Sequence, residues 1–408
     1  MKRSWGRLAL LLGSVASLCA CTALLGSFDV AADGVGPEAG TDSSPSSDGP
    51  TPGVDAADAL PPVECKSPEV ACGPVCANLM TAGDHCGKCT RSCGGGSCTQ
   101  GVCGPAEIVK LTTSKINTMD VGAASVFFSI DDKLVSCPKE GCGGAPPKQL
   151  GQTMWGFGSV TAMNNGTVVF ESAPVQNTTR PAMYGCPLAG CPAVLTSWIA
   201  DGLNGFESRI RVQGGDVFVN SGGFGLAWTT CNAGACTSPG KTLGLKGTHG
   251  FVPAGPNVYF VDSTARGGAI AKCVQSETAC MPTVVVPGDQ TDVESLAFDN
   301  GTLYWIKKGR DGFTEGKLFG CSLASDCTVA GNVKLVVNGL DSPTDLMVDA
   351  SGYYWITAAK KLQRCLPGNC PGGAQDLVPV ALDAPHSLTH DLSFVYWAET
   401  FKITRLAK

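Results

Sequence analysis

The chain has 408 residues, ordinary apolar content, 53 glycines, 22 cysteines and a formal net charge of −6. It is too long for one ordinary domain and can bury a large core, while an acidic balance with no basic run excludes nucleic acid as the main partner. So many regularly placed cysteines would be hazardous in a reducing cytosol, and they point to an oxidising compartment.

The first seven residues, MKRSWGR, are positive, and the next eleven, LALLLGSVASL, are apolar but too short for a comfortable membrane span. Leu18-Cys19-Ala20-Cys21 follows, and it resembles the bacterial lipobox. That resemblance implies a signal peptide over residues 1–20 and a diacylated Cys21 that anchors the protein to the cell envelope. A cut after Ala23 by the general signal peptidase is the alternative. Discarding Cys19 and lipidating Cys21 leaves twenty cysteines, an even number. Residues 21–63 then comprise the lipidated cysteine and a linker. From Asp29 to Pro62 the linker holds seven acids and no Lys or Arg. Such a segment cannot bury enough apolar surface to offset its ordering entropy. As a coil it spans roughly 30–35 Å, which suits a tether.

Residues 64–104 carry Cys65, Cys72, Cys76, Cys86, Cys89, Cys93, Cys98 and Cys103. Little apolar core is possible at that density, so covalent staples must hold the fold. Asn78-Leu79, His85-Cys86-Gly87-x-Cys89 and Cys98-x-x-Gly101-x-Cys103 make the segment similar to the cysteine-rich module of stigma-specific proteins. Cys86-x-x-Cys89 beside His85 also has the look of a zinc ligand set. Four disulfides suit an exported chain better.

Residues 105–408 are a repeat array. Seven β-rich runs recur every 41 to 50 residues, beginning at Val126, Val168, Val217, Val258, Leu303, Tyr353 and Val395. Six are followed by a close cysteine pair: Cys137/Cys142, Cys186/Cys191, Cys231/Cys236, Cys273/Cys280, Cys321/Cys327 and Cys365/Cys370. The unit from Glu294 to Val337 reads as four strands, the first two joined at Asp299-Asn300-Gly301 as a tight hairpin. Each cysteine pair brackets the turn between the third and fourth strands, where a disulfide is geometrically reasonable. Four-stranded units of this length predict an all-β fold, a β-propeller. The last unit stops at its third strand, and AEIVKLTT from Ala106 supplies the missing fourth. The expected ring therefore has seven blades, closed by residues 106–113. Tyr304-Trp305, Tyr354-Trp355 and Tyr396-Trp397 resemble the tyrosine-tryptophan strands of YWTD propellers, and the layout is similar to NHL-type repeats.

Propellers bind at the mouth of the central channel, near the starts of the innermost strands. The repeat phase places His249, Glu294 and His386 at one such position, with Arg209 and Asp345 at the next and Glu207 close by. Polar groups converging on one cavity are a candidate binding site. His249, Glu294 and His386 together are a possible set for a divalent metal, which would allow hydrolysis or elimination. No HExxH or Ser/His/Asp signature is present. The sequence therefore supports a lipid-anchored, non-enzymatic binding scaffold at the cell surface, meeting a protein or glycan and touching membrane only through its anchor. The alternative is a metal-dependent propeller enzyme of lactonase or lyase type.

Overall fold

The computed structural model describes residues 63–408 apart from 153–156, 164, 173–181, 193–196, 200–208, 222–224, 238–240, 244–247, 266–267, 276–279, 310–313, 369 and 371–372. Inside strands, a few side chains, His249 among them, also lie outside the description. The proposed lipobox with Cys21, the linker and Glu207 fall outside the described residues.

Seven antiparallel sheets follow one another along the chain. Their inner strands are Ile116–Val121, Phe157–Ala162, Arg209–Gln213, Thr248–Ala254, Val293–Asp299, Thr344–Asp349 and His386–His390, and they define blades 1 to 7 in that order. The expected seven-bladed, four-stranded architecture is present. Blade 7 takes its fourth strand, Ala106–Lys110, from the other end of the array: it pairs with Lys402–Ala407 through Lys402↔Lys110 and Ile403↔Val109. Closure in this way removes an open sheet edge.

Local sequence explains the meander. In blade 5, Asp299 pairs with Thr302 and leaves Asn300 (φ 41°) and Gly301 (φ 75°) as a two-residue loop. Both sit in the left-handed region that Asn and Gly tolerate, which matches the twist of the flanking strands. The second strands are apolar on both faces, because each blade is covered on two sides. Leu303 and Trp305 pack toward blade 4 and Ile306 toward blade 6. Tyr354 and Trp355 divide likewise between blades 7 and 5. The core is thus a set of seams between neighbouring blades. Trp305, Trp355 and Trp397 are all about 1% exposed or less.

Six of these seams contain a cystine. Cys137–Cys142, Cys186–Cys191, Cys231–Cys236, Cys273–Cys280, Cys321–Cys327 and Cys365–Cys370 each bridge one turn. Every bridged turn packs against the preceding blade. Hydrogen bonds clip three of the turns in place. Cys142 N donates to Ile108 O of blade 7 at 3.4 Å, and Cys191 N to Leu150 O of blade 1 at 2.8 Å. Gly234 N, in the third turn, donates to Thr167 Oγ1 of blade 2 at 2.9 Å. The seam between blades 6 and 7 has no cystine and relies on apolar side chains such as Leu382, Trp397 and Leu406.

The cysteine-rich segment holds Cys65–Cys76, Cys72–Cys89, Cys86–Cys98 and Cys93–Cys103. It belongs to the same compact unit as the ring, Pro61–Lys408. Cys86, Cys93 and Cys103 pack with Ala407 and Phe394 of blade 7. Arg405 donates from Nε and Nη2 to Gly94 O at 3.0 and 2.7 Å and from Nη1 to Lys139 O at 2.8 Å. One guanidinium therefore joins the cysteine-rich segment, blade 7 and blade 1. The segment lies at the end of blade 7 where the other blades carry their cystine turn.

Candidate functional site

A central cavity of about 2070 Å³ runs between the inner strands, from Arg209, Asp345 and His386 at one end to Asp391 and Lys408 at the other. Its mouth is shaped by backbone irregularity. The pairing register shifts at the start of the inner strand in blades 1, 2, 4, 5, 6 and 7. Bulges of this kind re-aim side chains and are common beside binding sites. In blades 6 and 7 they put Asp345 (φ 51°) and Ser387 (φ 54°) in the left-handed region, an uncommon conformation for residues other than glycine.

The sequence candidates divide in this structure. Arg209 and Glu294 meet: Nη2 lies 3.2 Å from Glu294 Oε1, and Nη1 donates to Glu294 O at 3.1 Å. This contact leaps from blade 3 to blade 5. Gly250 of the intervening blade 4 makes room for it, since a Cβ there would stand 3.2 Å from Glu294 O. The ion pair is about one third exposed on both sides, so it contributes little to stability. It does fix the rim and commit the Glu294 carboxylate. Asp345 and His386 line the same cavity. His386 Nδ1 lies 2.9 Å from Ala384 O, and its Nε2 is buried without a hydrogen-bond partner among the described residues. His249 sits on its inner strand, with its side chain outside the description, and Glu207 lies outside the described residues altogether.

The metal set of His249, Glu294 and His386 meets an electrostatic obstacle, because a guanidinium already occupies the Glu294 carboxylate. Among the described residues, the cluster with metal-ligand spacing is Cys86, Cys93 and Cys103. Those sulfurs belong to the Cys86–Cys98 and Cys93–Cys103 disulfides and offer no thiolate.

Two groups deeper in the channel were not among the sequence candidates. Arg211 lies two residues beyond Arg209, and strand alternation returns it to the same face. Nη1 donates to Ile210 O at 3.1 Å. Burial holds its pKa below the ordinary arginine range, with Arg209 adding to the effect and Asp345 and Asp120 opposing it. Asp120 of blade 1 accepts from Thr161 Oγ1 of blade 2 at 2.6 Å and from Thr389 Oγ1 of blade 7 at 3.0 Å. That side of the channel is therefore polar and internally bonded. The opposite wall, from blades 4 and 5, is apolar: Val252, Pro253, Leu296, Ala297 and Phe298.

A second charged network closes the far end. Lys139 Nζ of blade 1 lies 2.6 Å from Asp391 Oδ2 of blade 7. Lys408 Nζ donates to Asp391 O at 2.6 Å, pairs with Asp349 of blade 6 and lies 2.9 Å from His390 Nδ1. Burial and the neighbouring Lys408 hold His390 below the ordinary histidine range, against the opposing pull of Asp349. Blades 6, 7 and 1 are thereby clasped at the closure.

No family model and no curated protein matches the sequence. Solved structures do match the ring. One is PorZ, described as an essential bacterial surface component of the type-IX secretion system of Porphyromonas gingivalis: 13% identity, TM-score 0.51, over 74% of this chain and 39% of that one. A second is YCF48 bound to D1 peptide, with 14% identity, TM-score 0.52, and 75% and 95% covered. A third is the WD40 propeller domain of Doa1, with 10% identity, TM-score 0.53, and 75% and 97% covered. The chain thus matches under half of the length of PorZ. At these identities the likeness is one of fold, and the fold is the seven-bladed β-propeller.

Proposed function

We propose that this chain is a non-enzymatic binding scaffold, exported and lipid-anchored in the bacterial envelope, which meets its partner at the mouth of the propeller channel. The observation that carries this reading is the channel itself: a cavity of about 2070 Å³ with charged groups from several blades at its bulged mouth. It exceeds the volume of a typical small-ligand pocket and has room for a segment of another protein. Ten disulfides support an oxidising compartment. The lipobox-like Leu18–Cys21 and the acidic tether support display away from a membrane. PorZ is described as a surface component of a secretion system, and YCF48 was solved with a bound peptide. Both are consistent with a propeller used for recognition.

Fractionation of cells expressing the intact protein and Cys21→Ala tests the anchor, and affinity capture from envelope extract tests recognition. The expected result is an intact protein in the detergent phase, a Cys21→Ala variant in the aqueous phase, and the same captured partner for both. Equal membrane association of the two forms would refute the anchor. Capture abolished by reducing the channel mouth to alanine at Arg209 and Glu294 supports recognition there, and capture unaffected by it argues for another face.

A further inference from the structure

Most charged side chains along the channel are spent on internal contacts. Asp120 is held by two threonine hydroxyls and by Val121 N at 2.8 Å. Arg209 is held by Glu294, Lys139 by Asp391, and Lys408 by Asp349. Two charged groups on the inner strands stand apart. Arg211 makes a single hydrogen bond among the described residues, from Nη1 to the carbonyl of its neighbour Ile210. A guanidinium has five N–H donors in a rigid fork, so most of its capacity remains unused. The Asp345 carboxylate has no side-chain hydrogen bond among the described residues, although it lines the same cavity and its charge acts on Arg211.

Their placement is not symmetric about the channel. Arg211 comes from blade 3 and Asp345 from blade 6, which is the greatest separation two blades of a seven-membered ring can have. Positive and negative charge therefore face the cavity from opposed walls. Between them on one side lies the apolar surface of Val252, Leu296 and Phe298. His386 of blade 7, which lines the same cavity, adds a buried Nε2 with no partner among the described residues. The backbone at Asp345 is held in the left-handed region by its bulge, and strain of this kind concentrates at ligand clamps.

We propose that the channel binds a small zwitterion, a free amino acid or a short unblocked peptide, with its carboxylate on the Arg211 fork, its ammonium at Asp345 and its apolar body against the blade 4 and 5 wall. Arg–carboxylate pairing in a partly dehydrated site is among the stronger polar contacts available to a protein. The opposed aspartate discriminates against ligands that carry only negative charge, and the arginine against those that carry only positive charge. This small-ligand site is an addition to the scaffold reading and stands whether or not the chain is anchored or captures a protein.

Calorimetry on the full, oxidised chain tests it with alanine, alanyl-alanine and tetra-alanine as zwitterions of increasing length. N-acetyl-alanyl-alanine supplies the carboxylate alone and alanyl-alanine amide the ammonium alone. At least one zwitterion is expected to bind saturably, and the singly charged analogues of the dipeptide about 10- to 100-fold more weakly, as the loss of one charge-assisted contact requires. The length preference separates a free amino acid from a peptide. Arg211→Met should weaken the preferred zwitterion by a similar factor and leave the amide unchanged. Asp345→Asn, which tolerates the left-handed backbone, should weaken the zwitterion and leave the acetylated peptide unchanged. Arg211→Lys, which keeps the charge and loses the fork, should fall between Arg211→Met and the wild type and provides a second variant if Arg211→Met does not fold. No binding of any zwitterion, equal binding of zwitterion and singly charged analogues, or folded variants with undiminished affinity would overturn the proposal.

Discussion

Asp391 shows how much one carboxylate can carry in this ring. Its Oδ2 takes the Lys139 ammonium at 2.6 Å and the Tyr396 hydroxyl at 2.9 Å, and Oδ1 takes the backbone N–H groups of Ser393 and Phe394 at 2.8 and 2.9 Å. Burial alone would raise its pKa, but these bonds outweigh burial and hold it down to about 2. Burial, reinforced by the same carboxylate, pushes the Tyr396 phenol well above its ordinary range. Because the folded pKa lies below the unfolded one, the contribution of Asp391 is complete above about pH 4 and is lost as the pH falls toward 2. His390 acts earlier. Its depressed pKa means that the unfolded chain takes up a proton first, so stability begins to decline as the pH drops below about 6.5. Asp391→Asn should lower stability at pH 7 by about 1 kcal/mol, once the shift is discounted for solvent screening. It should also flatten the loss between pH 4 and 2, while the decline around pH 6 persists and deepens slightly, because the Asp391 charge is one of the groups that raise the His390 pKa. Thermal melts of both proteins across that range give the comparison, and two parallel curves would show that Asp391 is not a clasp.

At the scale of the element, the bridged turn is the repeated device. A disulfide closing so short a loop contributes about 2 kcal/mol through the unfolded state. The contacts across the seam add a second role. Asn165 Nδ2 of blade 2 donates to Cys231 O at 2.6 Å, and a Cβ on Gly185 of blade 2 would stand 2.6 Å from Cys236 Sγ. Replacing Cys231 and Cys236 together by alanine should cost about 2–3 kcal/mol. It should also reduce amide-exchange protection in the Ala182–Pro187 strand of blade 2 as well as in blade 3. Protection lost from blade 3 alone would mean that the turn staples only its own hairpin. The hairpins and the cysteine period were legible in the sequence because both are local signals: Asn300-Gly301 sets one loop, and the pairs fall at a constant phase. The docking of each turn on the preceding blade was not legible, since it depends on where the neighbouring strand ends in space. Arg211 was in principle legible, by stepping two residues along the strand from Arg209. The Arg209–Glu294 contact was not, because it skips a blade.

The whole molecule is a ring whose last seam differs from the other six. Blade 7 takes its fourth strand from Ala106–Lys110, so no third-to-fourth-strand turn joins those two strands to carry a cystine. Three other features gather at that place: the Lys408–Asp349 and Lys139–Asp391 pairs, the Arg405 bridge to Gly94 and Lys139, and the cysteine-rich segment packed on Ala407. Strand counting alone revealed the closure by residues after Ala106, because a missing fourth strand at one end matched a spare strand at the other. The packing of the cysteine-rich segment onto that blade left no mark in its cysteine spacing. A ring riveted at its seams suits a rigid platform, and its inner-strand bulges concentrate unusual backbone at one mouth, where Asp345 holds unspent charge. Site-specific photo-crosslinking in living cells tests that assignment most directly, with the photoreactive residue placed at Asn117 in the channel mouth or at exposed Leu335 on an outer strand. A discrete crosslinked product is expected from position 117 and none from 335; a product from 335 with none from 117 would place recognition on the outer edge and refute a channel-mouth site.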